Sequence, residues 1–202
     1  KRMILQFLLN GCITGILYSL LAIGFALAYN TTRIFHIAAA ALYVIAAYAF
    51  YFFAVEVELP ILLAAALALL VTMMISLLTD LLIYTPLKRR KASLNVTMIA
   101  SIGVMTVLIN LIAMFFGNET KVIDNTIQPT FSLGELILTT PQMYQAVIGS
   151  VTIIAFLLYL GTSHYGLQLR AISSDEELYE TLGYGSGKTR VGVFLLSGLF
   201  IA

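Results

Sequence analysis

Gly185-Ser186-Gly187-Lys188-Thr189 has the composition of a phosphate-binding loop, in which glycine-rich backbone N–H groups and a lysine cradle phosphate oxygens. The full pattern, G-x-x-x-x-G-K-[ST], needs glycine at 182, where Leu182 stands. No strand-like run precedes it and an apolar stretch follows at once, leaving no room for a nucleotide-binding domain. The five residues are expected to form a flexible turn carrying basic groups at a membrane surface. His36 and His164 lie in separate segments, and no further His, Cys or carboxylate stands beside either at metal-ligand spacing. His36, next to Arg33, has the character of a hydrogen-bonding group at a membrane edge. Cys12 is the single cysteine and has no intrachain disulfide partner. No nucleophile stands in register with a base, and no enzyme is expected.

Charge is concentrated upstream of that glycine run. Seven of the 21 charged residues fall between Arg170 and Arg190. Ser173 and Ser174, followed by Glu176 and Glu177, form a double S-x-x-E capping box. Asp175, Glu176 and Glu177 place negative charge in a first helical turn, where the dipole favours it, and Gly183 supplies a stop. The predicted helix is about two turns long, with Leu178, Leu182 and Tyr179 along an apolar edge. So short a helix is not stable alone in water and needs tertiary contact.

The elements around this island are of membrane type. Hydrophobic residues make up 60% of the 202 and charged residues 10%, against roughly a quarter charged in a soluble domain. Net charge is +1 and no basic run exceeds four residues, so nothing points to a nucleic-acid partner and none is expected. Apolar runs predict five spanning segments, about 3–29, 34–55, 60–84, 93–117 and 142–161, and a partial one at 191–202. Backbone groups in hydrocarbon must be satisfied within their own segment, so the runs are read as helices and the fold as an all-α polytopic bundle. The first two spans are expected to meet in a tight hairpin at Asn30-Thr31-Thr32-Arg33.

Lys88-Arg89-Arg90-Lys91 puts the loop between the third and fourth spans on the cytoplasmic side. Alternation then brings Arg33 and the 162–190 loop to the same side, together eight of the eleven Lys and Arg residues. The N-terminus falls outside, as does the stretch from Asn118 to Gln142, which contains Pro129 and Pro141 and is expected to form a small cap or re-entrant element. Lys1 in first position and an apolar run ending at Ala202 are read as marks of a longer protein, one membrane domain incomplete at its C-terminus.

Polar and small residues inside the spans identify faces. Gly11, Gly15 and Ser19 recur every four residues and are expected to let another helix approach. Asn10, Thr14 and Tyr18 on a neighbouring stripe, with Ser101 and Asn110 in the fourth span, are candidates to line a substrate path. An unpaired amide in lipid costs several kcal/mol, so Asn110 is expected to face the bundle or a wet cavity. Asp80, near the end of the third span, is expected to reach the Lys88–Lys91 cluster or the headgroup region.

Several motifs together resemble the permease subunits of ABC importers of the branched-chain amino-acid (LivH-like) family. Glu177-Leu178-Tyr179-Glu180-Thr181-Leu182-Gly183 keeps the spacing of the family's E-A-A-x-x-x-G loop, with Leu and Tyr in place of Ala. Thr162 to Ala171 is similar to T-x-x-G-x-x-x-R-A, with Thr162 one place further from Gly166. Tyr84-Thr85-Pro86-Leu87-Lys88-Arg89 resembles Y-x-P-L-R-R. Ile99 to Gly103, Asn110-Leu111 and Phe116-Gly117 resemble I-x-T-I-G…N-L…F-G, and Asn10-Gly11, Tyr18 and Ala22-Ile23-Gly24 fit the first helix. Where the family reads N-F-A-H-G-[ED], this chain has His36-Ile37-Ala38-Ala39-Ala40-Ala41, which removes polar groups from the start of the second span.

The resemblance implies a permease half in the bacterial cytoplasmic membrane, paired with an identical or related second permease subunit. It implies docking of Asp175, Glu176, Glu177, Leu178, Leu182 and Gly183 onto a separate ABC ATPase, which holds the ATP, and delivery of solute by an extracytoplasmic binding protein. This chain itself is expected to bind no cofactor and no metal. Amino acids are the implied solute, with urea, amides or another small solute as alternatives. The rival readings are a secondary transporter or channel without an ATPase, and a membrane anchor or assembly subunit.

Overall fold

The computed structural model describes residues 2–117, 119–123, 130–133 and 136–202. The helices are α1 (Arg2–Thr32), α2 (Ala39–Tyr51), α3 (Ile61–Thr79), α4 (Thr85–Arg89), α5 (Leu94–Phe116), α6 (Thr140–Thr162), α7 (His164–Ser174), α8 (Glu176–Thr181) and α9 (Ser186–Ile201). Two strands, β1 (Thr130–Leu133) and β2 (Leu136–Thr139), precede α6. Among the described residues, five helical stretches are long and apolar enough to cross a membrane: Met3–Thr32, Ala39–Glu56, Ile61–Arg89, Leu94–Phe116 and Thr140–Thr162. They coincide with the five expected spans, and the fold is an all-α polytopic membrane protein with one small hairpin.

The edges of the spans differ from expectation for local reasons. α1 continues through Thr32, whose hydroxyl donates to the Ala28 carbonyl (2.6 Å) and accepts the Ile34 N–H (3.3 Å). Arg33 then turns into the left-handed region (φ 56°), so the hairpin is the longer connection 33–38 and α2 begins at Ala39. The third span runs on to Arg89 through a π turn at Asp80–Tyr84. Pro86 has no N–H and its ring crowds the carbonyl four residues back, a strain that a wider turn relieves. The 162–190 segment is no loop. It is α7, α8 and the start of α9, and Gly187-Lys188-Thr189 lies inside a helix rather than in a flexible turn.

The chain folds as two compact units. The first comprises Lys1–Ala22 and Asp124–Leu167. Within the expected cap between Asn118 and Gln142, Asn118, 124–129 with Pro129, and 134–135 lie outside the described residues. β1 and β2 pair antiparallel, Thr130 opposite Thr139 and Leu133 opposite Leu136. The Gln6 side chain closes the open edge of β2, donating to the Ile137 carbonyl (2.8 Å) and accepting its N–H (3.1 Å). A primary amide here supplies what a third strand would. The Gln142 side chain accepts the Thr139 N–H (3.0 Å) and caps α6.

Close helix approach in this unit does not use the Gly11–Gly15–Ser19 stripe. A Cβ at Gly11 or Gly15 would meet nothing within 4 Å, and Ser19 is exposed with its hydroxyl turned back on the Gly15 carbonyl (2.8 Å). Gly149 of α6 makes the contact instead: its Cβ would lie 2.5 Å from Ile16 Cγ2. The α6–α7 break is equally tight, since a Cβ at Gly166 would fall 1.9 Å from the Leu160 carbonyl oxygen. Ser163 Oγ accepts the Gly166 N–H (3.0 Å), so the hydroxyl three residues before this glycine belongs to Ser163, not Thr162.

The second unit comprises Ile23–Ile123 and Gln168–Ala202. α3 packs most extensively on α9 and α2, and α2 also packs on α5. Ala28, Ile34, Tyr84 and Phe194 form its buried centre. Ala38 and Ala41 are fully buried, so Ala41, which stands where the family carries an acid, is a packing position. Two glycines set the approach of α9. A Cβ at Gly198 would lie 2.8 Å from Ser76 Cβ and 3.0 Å from Met73 Cα, and one at Gly24 would lie 2.8 Å from Ile201 Cγ1. Hydroxyls reinforce both contacts: Ser76 Oγ donates to the Phe194 carbonyl (2.7 Å) and Ser197 Oγ to the Gly24 carbonyl (2.7 Å).

Gly198→Leu should therefore destabilise the unit by about 1–3 kcal/mol through overpacking against α3. Thermal unfolding in detergent measures it, with Gly187→Ala as the control, because a Cβ there meets nothing within 4 Å. Equal melting temperatures for Gly198→Leu and the unsubstituted chain would contradict the packing account.

Candidate functional site

The polar segment is built differently from its expected capping boxes. α7 extends through Ser174, which removes Ser173 and Ser174 as caps. Asp175 is the N-cap of α8, in extended conformation, and its carboxylate accepts the Leu178 N–H (3.0 Å). Glu176 and Glu177 occupy the first turn. At the other end Gly183 adopts φ 87°, its N–H donating to the Glu180 carbonyl (2.9 Å), while the Tyr184 N–H donates to the Tyr179 carbonyl (3.4 Å). These paired bonds are a Schellman stop, which requires the left-handed residue that glycine supplies without steric cost.

α8 turns one side chain inward and leaves two outside. Tyr179 is buried, and its hydroxyl meets Thr189 Oγ1 (3.1 Å) at the start of α9. Leu178 and Leu182 are 57% and 68% exposed. The apolar edge is thus split: Tyr179 fastens the helix, and the two leucines face away from the rest of the chain. Glu176 pairs with Lys88, and Ser186 donates to Glu180. Arg33 Nη2 donates to the Ser173 carbonyl (2.9 Å). Arg33, Lys88 and the 173–190 segment therefore meet at one end of the second unit, while Lys121 lies over the Tyr51 ring (6.0 Å) beside the α2–α3 connection.

Asp80 does not reach the Lys88–Lys91 cluster. It is 1% exposed and accepts from Arg190 Nε (2.8 and 3.0 Å) and Nη2, a bidentate pair with an arginine that is itself 7% exposed. The guanidinium also faces the Phe194 ring (5.7 Å). A charge buried in a span needs its counter-charge at hand, and helix packing delivers Arg190 from 110 residues away. Beside the pair opens a cleft of about 440 Å³, bordered by Leu81, Thr85, Arg89, Glu180 and Gly187.

A second polar arrangement is wholly interior. His36 Nδ1 meets Tyr84 Oη (2.8 Å), Tyr84 Oη meets Ser101 Oγ (2.8 Å), and Ser101 Oγ accepts the Ala38 N–H (3.0 Å). All three side chains are fully buried. His36, in the connection between α1 and α2, is thus a core residue rather than an interfacial one. Burial pushes its imidazole down to about 4, so it is neutral at physiological pH. Neutral His36 suits a chain in which Ser101 donates to Tyr84 and Tyr84 to Nδ1, with the imidazole standing edge-on to Phe194 (centroids 5.6 Å, 81°).

Of the expected path residues, Asn10, Thr14 and Tyr18 belong to the first unit and Ser101 and Asn110 to the second. Ser101 is committed to the interior network. Asn110 is exposed, its amide donating to the Thr106 carbonyl (2.8 Å), and so does not face the bundle as expected. Thr14 and Tyr18 are exposed on α1 and Asn10 half-buried, with Asn10 Oδ1 accepting from Gln6 (3.4 Å) and Thr14 donating to the Asn10 carbonyl (3.0 Å). Clefts of about 610 Å³, with Ile75, Leu82 and Val107 in its wall, and about 280 Å³, with Tyr48, Phe52 and Phe116, are almost wholly apolar. Sequence reasoning missed Arg190 and Tyr84 as partners. The signal for Arg190 was an arginine standing directly before the apolar run 191–202.

Among the described residues, the five apolar helices define a multi-pass membrane protein. Residues 7–202 match the family described as "Branched-chain amino acid transport system / permease component", and the chain belongs to it. It resides in the cytoplasmic (inner) membrane. It is 24% identical over 212 residues to the high-affinity branched-chain amino acid transport system permease protein BraD of Pseudomonas aeruginosa, covering 98% of this chain and 68% of that one. No solved structure matches.

Two tests follow from the geometry. Asp175→Ala and Gly183→Ala should each weaken α8 by about 1 kcal/mol, seen as faster amide exchange at 176–182 with α5 unaffected. Ser101→Ala leaves the Ala38 N–H and Tyr84 hydroxyl short of a partner, and should cost about 1–3 kcal/mol in thermal unfolding.

Proposed function

We propose that this chain is a permease subunit of an ABC importer, moving amino acids or a similarly small polar solute by ATPase-driven alternating access. The observation that carries the reading is α8. It is a polar, doubly capped helix with Leu178 and Leu182 exposed, held on the rest of the unit through Tyr179, at the end where Arg33 and Lys88 gather. Exposed leucines on a firmly held polar helix suit a protein partner. The Glu177…Gly183 spacing points to an ABC ATPase, which would bind the ATP; this chain would hold no cofactor of its own. The lysines and arginines at this end support a cytoplasmic position for it.

A second permease subunit follows from α5. Thr106, Asn110 and Gly103 lie on an exposed face of a span, and an amide there is costly against lipid. That face suits a protein neighbour or the solute path between two subunits, fed by an extracytoplasmic binding protein. Branched-chain amino acids are the first solute class to try, because BraD is named for them. The ion-coupled rival depends on Asp80, and its engagement by Arg190 supports the ATP-driven reading.

The test is co-expression of the full-length chain with its ATPase subunits. Leu178→Asp, Leu182→Asp should abolish co-purification of the ATPase, and Glu177→Lys, Gly183→Pro should reduce ATP-dependent uptake of radiolabelled leucine at least tenfold, the scale of losing about 1.4 kcal/mol of binding. Full ATP-driven uptake in the second variant would refute the coupling site. Uptake that survives ATP depletion and collapses with an ionophore would decide for a secondary transporter.

A further inference from the structure

Resting on the coupling reading above, we infer that the Asp80–Arg190 pair is the clamp that makes α8, α9 and the third span move as one body. Among the described residues, side chains of α8 meet α9 at Tyr179 and Glu180, the latter accepting from Ser186, and meet the third span's continuation at Glu176. Tyr179 Oη meets Thr189 Oγ1 on α9 (3.1 Å), and Glu176 meets Lys88 on α4, the continuation of the third span. The Glu176–Lys88 pair is about two-fifths exposed on each side, and water screens it. The Tyr179 contact is buried, but it ends on α9 and transmits nothing to the third span by itself. The residue after Thr189 completes the route. Arg190 carries a buried, bidentate ion pair to Asp80 of the third span.

Asp80 opens a π turn, where the ladder of the third span is already widened, and an open cleft lies alongside. Without the pair, this is where α9 would part from the third span. With it, parting would strand two charges in the interior, a cost of several kcal/mol per ion. The further contacts on the same two helices, Ser76 with the Phe194 carbonyl and Gly198 against Met73, lie deeper along the interface and do not engage the end that receives the load. Asp80 and Arg190 are thus positioning residues: they engage each other, and set where α8 stands relative to the span.

The experiment uses the full-length chain with its ATPase partner, in a Cys12→Ser background, with spin labels at Thr181→Cys on α8 and Leu82→Cys on the third span. A second pair, Tyr43→Cys with Val107→Cys, reports α2 against α5. The 181–82 pair should give one narrow distance distribution, unchanged by a non-hydrolysable ATP analogue. Asp80→Asn or Arg190→Gln should add a longer-distance population there while the 43–107 pair stays narrow, and the exchange Asp80→Arg, Arg190→Asp should restore the single population. ATPase co-purification is read in parallel: its absence from the unsubstituted chain would refute the coupling reading, while the label distances still test the clamp. A single narrow 181–82 distribution in Asp80→Asn overturns the inference, as does equal broadening of both pairs, which would mark general loosening. Should neither neutral variant fold, the double variant Asp80→Asn, Arg190→Gln, which leaves no unpaired charge, takes their place, and a single narrow 181–82 distribution in it overturns the inference equally.

Discussion

A charge held inside a membrane bundle dictates what surrounds it, because its counter-charge must stay within reach through every state the bundle visits. Asp80 and Arg190 impose that condition on the second unit. For the guanidinium to meet the carboxylate, α9 must lie against α3 over much of its length, and Gly198 and Gly24 are where a side chain would prevent it. The Ser76 and Ser197 hydroxyls then find backbone carbonyls on the facing helix at 2.7 Å. Electrostatics requires the contact, small residues permit it, and hydroxyl groups fix its register.

The interior network gives physical content to two of the motifs that carry the family resemblance. Tyr84 heads the Tyr84–Arg89 motif and Ser101 is the hydroxyl of Ile99–Gly103, and in the fold their oxygens are 2.8 Å apart. His36 joins them from the α1–α2 connection, and the Ala38 N–H is satisfied through Ser101. The polar residues that the family carries at the head of the second span are absent here. Ala41, where the family carries an acid, is instead buried with Ala38 at that end of α2.

Much of the fold was legible in the sequence because hydrocarbon admits so few backbone solutions: an apolar run of sufficient length is a helix. Where each helix stops was less legible. Arg33 in the left-handed region, the π turn before Pro86 and the extension of α7 through Ser174 are set by geometry that composition does not carry. The position and polar character of α8 could be read from its charges and from Gly183, whereas its true N-cap, Asp175, was obscured by two serines of equal local merit. The partners of Asp80, Ser101 and His36 are remote in the chain, and periodicity within one helix says nothing about them. The stripe of Gly11 and Gly15 shows the opposite failure: a pattern made for close approach, with nothing among the described residues within 4 Å of a Cβ placed there.

The Schellman turn at Gly183 ends α8 abruptly, and only Tyr184 and Gly185 separate it from α9, where Thr189 faces Tyr179 and Arg190 faces Asp80. Each residue advances a helix by about 100° of rotation. One residue inserted after Arg190, inside α9, would swing Thr189 and Arg190 by that angle from the face that Gly198 holds against α3, though every amino acid in the contacts remained. The helix therefore sets a phase, and the spacing from Thr189 and Arg190 to Gly198 is as much a part of the site as the residues themselves.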